Sequence, residues 1–132
     1  MADLTKLSTA GIDGVSANRC AYITENFAGE DLGKVDACYI ASDGKVYKAV
    51  SSQVTISGIA DFSGFTNRVV PSGQPVTLFG AGAIFGYASA LTPGQYLYVS
   101  NTAGKLSDTK IASADLPVAK AIDLKNIIVA RF

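Results

Sequence analysis

Residues 91–105 constrain the fold of this chain more than any other stretch, because they dictate a turn, a strand and a second turn in immediate succession. Pro93 pre-sets the φ angle of the first turn and Gly94 accepts a positive φ, so the chain reverses there. Residues 95–100 are dense in tyrosine and β-branched side chains, which suit a pleated, half-buried surface. A weaker copy lies at residues 33–45. Aligning Tyr39 with Tyr98 sets Ile40 on Val99, Ala41 on Ser100 and Ser42 on Asn101. With a gap for the longer second turn, Gly44, Lys45 and Val46 fall on Gly104, Lys105 and Leu106. The chain reads as two hairpins of one design.

The remaining segments extend the same pattern. Residues 20–24 form the first plausible strand, and residues 27–34 read as a loop leading into the first hairpin. That hairpin pairs residues 37–41 with 45–50 across Ser42, Asp43 and Gly44, since Asp-Gly is a strong turn signal. Residues 54–62 alternate, with Val54, Ile56, Gly58 and Ala60 on one side. Phe62 and Phe65 follow, then Val69 and Val70. Residues 71–75 are a turn-rich connector, and residues 76–88 read as two further strands. Gly80, Gly82 and Gly86 miss the spacing of a dinucleotide fingerprint and precede no amphipathic helix, so they read as strand bends. Residues 111–117 are the one segment suited to a short helical turn, ended by Pro117. Residues 118–122 and 127–132 close the chain as strands, the last docked in the sheet. No long helical period occurs, so the expected class is all-β, a small single-domain β-barrel or β-sandwich with an extended N-terminal arm.

At 132 residues the chain is long enough for one core, and 48% apolar with only 17% charged residues argues against disorder. Eleven acidic side chains balance eleven basic ones without any block of like charge. No basic patch is visible for displacing counterions, so nucleic acid is not an expected partner. No apolar run approaches the ~20 residues that span a bilayer, and no signal peptide is visible, so the expected setting is soluble and cytoplasmic, away from membranes. Cys20 and Cys38 sit in strand-like runs and read as two buried free thiols, or as a disulfide if those strands pair in register.

Residues 1–18 differ from the rest. Leu4, Leu7, Ile12 and Val15 are scattered among polar residues with neither helical period nor strict alternation. Gly11 and Gly14 would each weaken a helix by about 1 kcal/mol relative to alanine. This stretch reads either as a frayed terminus or as a flexible arm that orders on a partner, with residues 19–132 forming the β-barrel domain.

The chemistry of catalysis is sparse. The chain contains no histidine and no tryptophan, so the commonest general base and metal ligand is missing and a Ser-His-Asp site is excluded. Two separated cysteines make no zinc site. Asp31, Asp36, Asp43 and Asp61 are scattered in turns without calcium-loop spacing, and turn formation is the simpler role for them. No enzyme, no metal, no cofactor and no small-molecule substrate is expected. Tyr39, Tyr47, Tyr87, Tyr96 and Tyr98 could form a stacking surface for sugars or single strands. Basic residues are not interleaved with them, so cross-strand packing or a subunit interface is the preferred reading. Tyr96 and Tyr98, two apart, point to one face of their strand.

Taken together, Leu91-Thr-Pro-Gly-Gln-Tyr-Leu-Tyr-Val-Ser-Asn-Thr-Ala-Gly-Lys, then Leu116-Pro-Val-Ala-Lys-Ala-Ile, then the closing Ile127-Ile-Val, resemble tailed-bacteriophage head decoration proteins, also called capsid cement proteins. Residues 27–40 look like that family's loop leading into a strand. The resemblance spans residues 27–132 in pattern and is specific over 91–122. Lys120, where a small residue is usual, and the long segment 54–87 depart from it. The resemblance implies a small β-barrel without an active site, commonly a homotrimer, bound to the outside of an expanded head and bridging major capsid protein subunits. It places the protein on the capsid exterior after assembly in the host cytoplasm. Under this reading residues 1–18 are a capsid-binding arm anchored by Leu4, Leu7, Ile12 and Val15, and Tyr96 and Tyr98 are candidate subunit-interface aromatics. The alternative is a fibre-associated β module of head or tail that binds a receptor or glycan.

Overall fold

The computed structural model describes residues 3–56, 59–110 and 115–130. They form two antiparallel sheets and almost no helix, as the sequence predicts. The six-stranded sheet has the order β1 (Lys6–Ile12), β9 (Ile84–Ala88), β13 (Asn126–Val129), β12 (Ala119–Ala121), β10 (Tyr96–Val99), β11 (Leu106–Ser107). It curls into a half-barrel. The five-stranded sheet has the order β2 (Tyr22–Phe27), β8 (Pro75–Phe79), β7 (Gly64–Phe65), β3 (Ala37–Ile40), β4 (Val46–Lys48). A small hairpin, β5 (Val54–Ile56) with β6 (Ile59–Ala60), stands apart, so the stretch expected as one strand folds back on itself. Gly58, residues 111–114 and Phe132 lie outside the described residues, and with them the helical turn, most of which falls there, and the end of the last strand.

Period-two alternation drives the burial. Leu97 and Val99 of β10 point inward while Tyr96 and Tyr98 point outward, and β8, β12 and β13 alternate in the same way. The inward residues make two cores. The larger contains Phe85, Tyr87, Leu97, Val99, Leu106, Ile127 and Val129. The smaller lies within the second sheet and contains Leu32, Cys38, Val46, Val70, Val76 and Leu78. Phe65 belongs to β7 of the second sheet but packs in the larger core, 5.2 Å from Phe62 and 5.3 Å from Phe85 between ring centroids. Burying a ring of this size contributes roughly 1.5–3 kcal/mol, so Phe65 is a principal tie between the sheets.

The two expected hairpins are present and end alike. Ile40 pairs with Val46 and Val99 with Leu106, the positions that the sequence alignment superposes. Ala41 N–H donates to Lys45 O at 2.9 Å, and Ser100 N–H donates to Lys105 O at 3.0 Å. Gly44 and Gly104 close the two turns at φ +82° and +83°, the left-handed region where a Cβ is strained. Each hairpin puts its second strand at the edge of its own sheet. The second hairpin's turn also crosses to the first: Gly104 N–H donates to Ala49 O at 2.8 Å, and Ala37 N–H to Gly104 O at 3.0 Å.

Both sheets have their edges joined at one end. Leu4 N–H donates to Leu106 O at 3.0 Å and Asp3 bridges Ser107, so the segment before β1 meets β11. In the second sheet, Ala28 bridges Val46 in parallel just beyond β2, and Gly29 N–H donates to Val46 O at 2.8 Å. Joined edges leave fewer unpaired strand groups for unwanted pairing.

The first residues are extended, as expected, but extended within the sheet rather than free of it. β1 pairs with β9 through Lys6 to Ala88, Gly11 to Gly86 and Ile12 to Phe85, with an irregularity between Lys6 and Gly11. The Lys6 ammonium reaches the second sheet, donating to Lys34 O and to Asp36 Oδ1, both at 2.6 Å. Asp36 is buried, and its other oxygen accepts from Gly33 N–H at 2.7 Å. Residues 3–18 therefore pack as part of the barrel, and a boundary at residue 18 does not separate an arm from a domain.

Candidate interaction surface

The outer face of the six-stranded sheet brings together Tyr96, Tyr98 and Lys120, residues singled out in the sequence. Tyr96 pairs with Lys120, Lys120 with Ile128, and Ile128 with Ile84, so four outward side chains form one row across β10, β12, β13 and β9. The Lys120 ammonium sits 5.6 Å from the Tyr96 ring centroid, a cation–π distance. Tyr98 lies beside the row and Tyr96 is half exposed. At one end the β12–β13 turn exposes Ile122 and Leu124, and it is tied to the turn at residues 92–94 by Leu91 N–H to Leu124 O and Gly94 N–H to Ala121 O. The result is a mixed aromatic and aliphatic band that carries the Lys120 cation.

The four residues expected to anchor an arm are not presented together. Leu4 and Ile12 pack against the larger core and Leu7 is partly buried. Only Val15 projects, with 63% of its surface exposed. It rides on the single helical turn α1 (Gly14–Ala17), which Asp13 caps by accepting from Ser16 N–H at 3.0 Å. The Ser16 hydroxyl in turn accepts from Ile84 N–H at 3.0 Å, fixing the turn to the start of β9. The apolar residues were visible in sequence; the partner that claims Leu4 and Ile12 is the protein's own core.

The tyrosines do not gather into one stacking platform. Tyr39 and Tyr47 pair across the first hairpin at 6.1 Å, Tyr87 is fully buried, and Tyr96 and Tyr98 lie on the outer face. Tyr87 Oη accepts from Leu106 N–H at 3.2 Å, and burial pushes its phenol far above the ordinary value.

The carboxylates serve backbone amides at turns. Asp31 accepts from Ser72 N–H, Asp43 from Lys45 N–H, Asp115 from Ala60 N–H, and Asp123 from Lys125 and Asn126 N–H. The Tyr47 hydroxyl donates to Asp43 at 2.7 Å, which holds the Asp43 carboxyl below and the Tyr47 phenol above their usual values. Asp3 is held below its usual value first by the Ser100 hydroxyl and then by Thr102. Among the described residues no group of three or more carboxylates and cysteines converges as a metal site. Cys20 and Cys38 are free thiols: Cys20 precedes β2, which pairs with β8, whereas Cys38 in β3 faces β4 and β7. Burial pushes the Cys38 thiol strongly up. Among the described residues no helix is long and apolar enough to cross a membrane.

Two surface features had not been singled out in the sequence. Tyr22, 63% exposed, lines a shallow groove with Thr24, Thr77 and Phe79, on the face of β2 and β8 whose Phe79 packs against the larger core. Phe27, 50% exposed, stands in a cavity of about 430 Å³ between the turns at residues 42–44 and 71–74. The sequence clue is the polar run Thr24, Glu25, Asn26, which breaks the alternation between Ile23 and Phe27 and marks a bulge. No protein family, no curated protein and no solved structure matches this chain significantly.

Proposed function

We propose that this chain is a structural virion protein: a decoration, or cement, protein that binds the outer surface of a bacteriophage capsid and stabilises the expanded head by bridging major capsid protein subunits. The observation that supports it best is that the later segments of the resemblance, 91–105, 116–122 and 127–129, lie together in the fold, while the 27–40 entry leads into β3 of the other sheet. The later segments form the neighbouring strands β10, β12 and β13, and their outward side chains Tyr96, Tyr98, Lys120 and Ile128 form one continuous band. Such a band suits a contact made many times over a shell, where individually weak interactions sum through multivalency. Tyrosine-rich surface of this kind is enriched at subunit interfaces, and self-association as a homotrimer through Tyr96 and Tyr98 belongs to the same reading. The arm is revised: Val15 is the one of its four residues that contacts a capsid without opening the barrel, so deleting residues 2–15 tests folding and not docking.

The experiment combines light scattering of the purified protein with co-sedimentation on empty expanded heads of the encoding phage. Stable trimers that pellet with heads, and a Y96A/Y98A double variant that folds but no longer forms trimers, fit the proposal. A monomer that stays in the supernatant with expanded heads removes it.

A further inference from the structure

The cavity beside Phe27 combines three features that belong together at a sugar site, and none of them is needed by either core. The first is an aromatic face in water: Phe27 is half exposed at the end of β2, opposite Pro75 of β8, and is a member of neither hydrophobic cluster. Aromatic rings placed like this offer a large apolar face to the C–H face of a pyranose at little entropic cost.

The second is a set of polar groups, some fixed and some free. Asn26 is held by its Nδ2, which donates to Gly44 O at 2.9 Å, leaving Oδ1 as a positioned acceptor. Asp43 is held by Lys45 N–H at 2.9 Å and the Tyr47 hydroxyl at 2.7 Å. Glu25 and Lys45 line the same cavity, and their side chains make no hydrogen bond or ion pair among the described residues. Gly29 in its lining packs directly on the Tyr47 ring, which a Cβ there would meet at 2.4 Å. At about 430 Å³ the cavity falls within the range of small-ligand sites.

The third is backbone strain at Glu25. It sits at φ +73° in the bulge between Ile23 and Asn26, a conformation that costs a side-chain-bearing residue and is free to glycine. Glycine is the stabler residue here, so the bulge holds the glutamate over the cavity at a cost in backbone energy.

We propose that this cavity binds a pyranose unit of a neutral glycan, with the sugar stacked on Phe27 and its hydroxyls bonded by Glu25, Asn26 and Lys45. The charge decides the class. Glu25 and Asp43 against Lys45 leave the site net negative, which disfavours sialylated sugars, phosphates and nucleic acid, while the mixture of acceptors and donors matches neutral hydroxyls. The site lies on the five-stranded sheet and is independent of the band on the other sheet, so it stands or falls apart from capsid binding.

The test is an amide-shift titration of the isotope-labelled protein with the methyl glycosides of glucose, galactose, mannose and N-acetylglucosamine, with sialic acid and a short oligonucleotide as counter-probes. Concentrations should run to about 50 mM, past the roughly millimolar Kd that one stacked ring and a few hydrogen bonds support. The expected result is saturable shifts confined to residues 25–29, 43–45 and 72–73 with at least one neutral glycoside. Phe27→Ala should weaken that binding about tenfold, the worth of one aromatic contact. Glu25→Gly should abolish it while raising the melting temperature, a combination that a merely structural glutamate would not give. No saturable shift with any neutral glycoside, shifts elsewhere, a preference for sialic acid or oligonucleotide, or unchanged affinity in both variants overturns the proposal.

Discussion

Gly44 and Gly104 offer a matched experiment on what holds the two sheets together. They occupy equivalent turns at nearly the same φ, +82° and +83°, so alanine suffers the same backbone strain at both, roughly 1–2 kcal/mol. Their surroundings differ. A Cβ at Gly44 meets nothing within 4 Å. A Cβ at Gly104 meets Asp36 Cγ at 3.1 Å and Lys48 Cδ at 3.2 Å. The Lys48 chain can swing aside, but Asp36 cannot, because Lys6 and Gly33 N–H hold its two oxygens. Displacing a held, buried group adds roughly 1–3 kcal/mol. Gly44→Ala is therefore expected to cost about 1 kcal/mol and Gly104→Ala about 3 kcal/mol in a urea titration read by tyrosine fluorescence and circular dichroism. On the thermal scale the two losses correspond to drops of roughly 4 °C and 12 °C. Equal losses at the two glycines would refute the idea that the second hairpin's turn is wedged against the Asp36 network.

Three other outcomes follow from the same contacts. Lys6→Ala leaves the Asp36 carboxylate buried without its cation; because Lys6 is 23% exposed and water can enter, the loss should be about 2 kcal/mol rather than the 3–5 of a fully buried pair, with faster proteolysis in residues 3–18. Asp3 has a folded-state pKa below its unfolded value, so its contribution is complete above the unfolded pKa and disappears as pH falls through the folded one. Asp3→Asn should then cost about 0.5–1 kcal/mol at neutral pH, small because Asp3 is exposed, and progressively less as pH falls through the carboxylate range, as parallel urea titrations would show. Native thiol titration should modify Cys20 slowly and leave Cys38 untouched, whereas both react in denaturant; rapid native reaction of both would contradict the packing of Cys38 in the smaller core.

The hairpins were legible because their determinants are local. Asp43 with Gly44, and Gly104 before Lys105, specify turns within a few residues, and the period-two pattern of residues 95–100 assigns Tyr96 and Tyr98 to one face. β1 was not legible for a physical reason. Its pairing with β9 slips between Lys6 and Gly11, the core residues Leu4, Ala10 and Ile12 are separated by the polar Lys6 and Ser8 at the same parity, and the residue that fixes the strand, Lys6, bonds Asp36 thirty positions away. Residues 54–60 alternate as one strand does, yet fold as a hairpin, because alternation constrains faces and not where a chain reverses. The outer band was half visible: Tyr96 and Tyr98 are two apart, but Lys120, Ile128 and Ile84 join them only through the strand order β10, β12, β13, β9, which no local signal encodes. Phe27 reads as an ordinary loop residue until the bulge at Glu25 and two distant turns enclose it.

The most direct measurement of the proposed role is a sedimentation isotherm of the labelled protein on expanded heads and, in parallel, on unexpanded precursor heads of the same phage. The decoration reading predicts saturable binding to expanded heads at a fixed number of copies per head, with little binding to the precursor, whose subunits are not yet spaced for bridging. Failure to pellet with expanded heads at any concentration, or equal unsaturable adsorption to both, would contradict it.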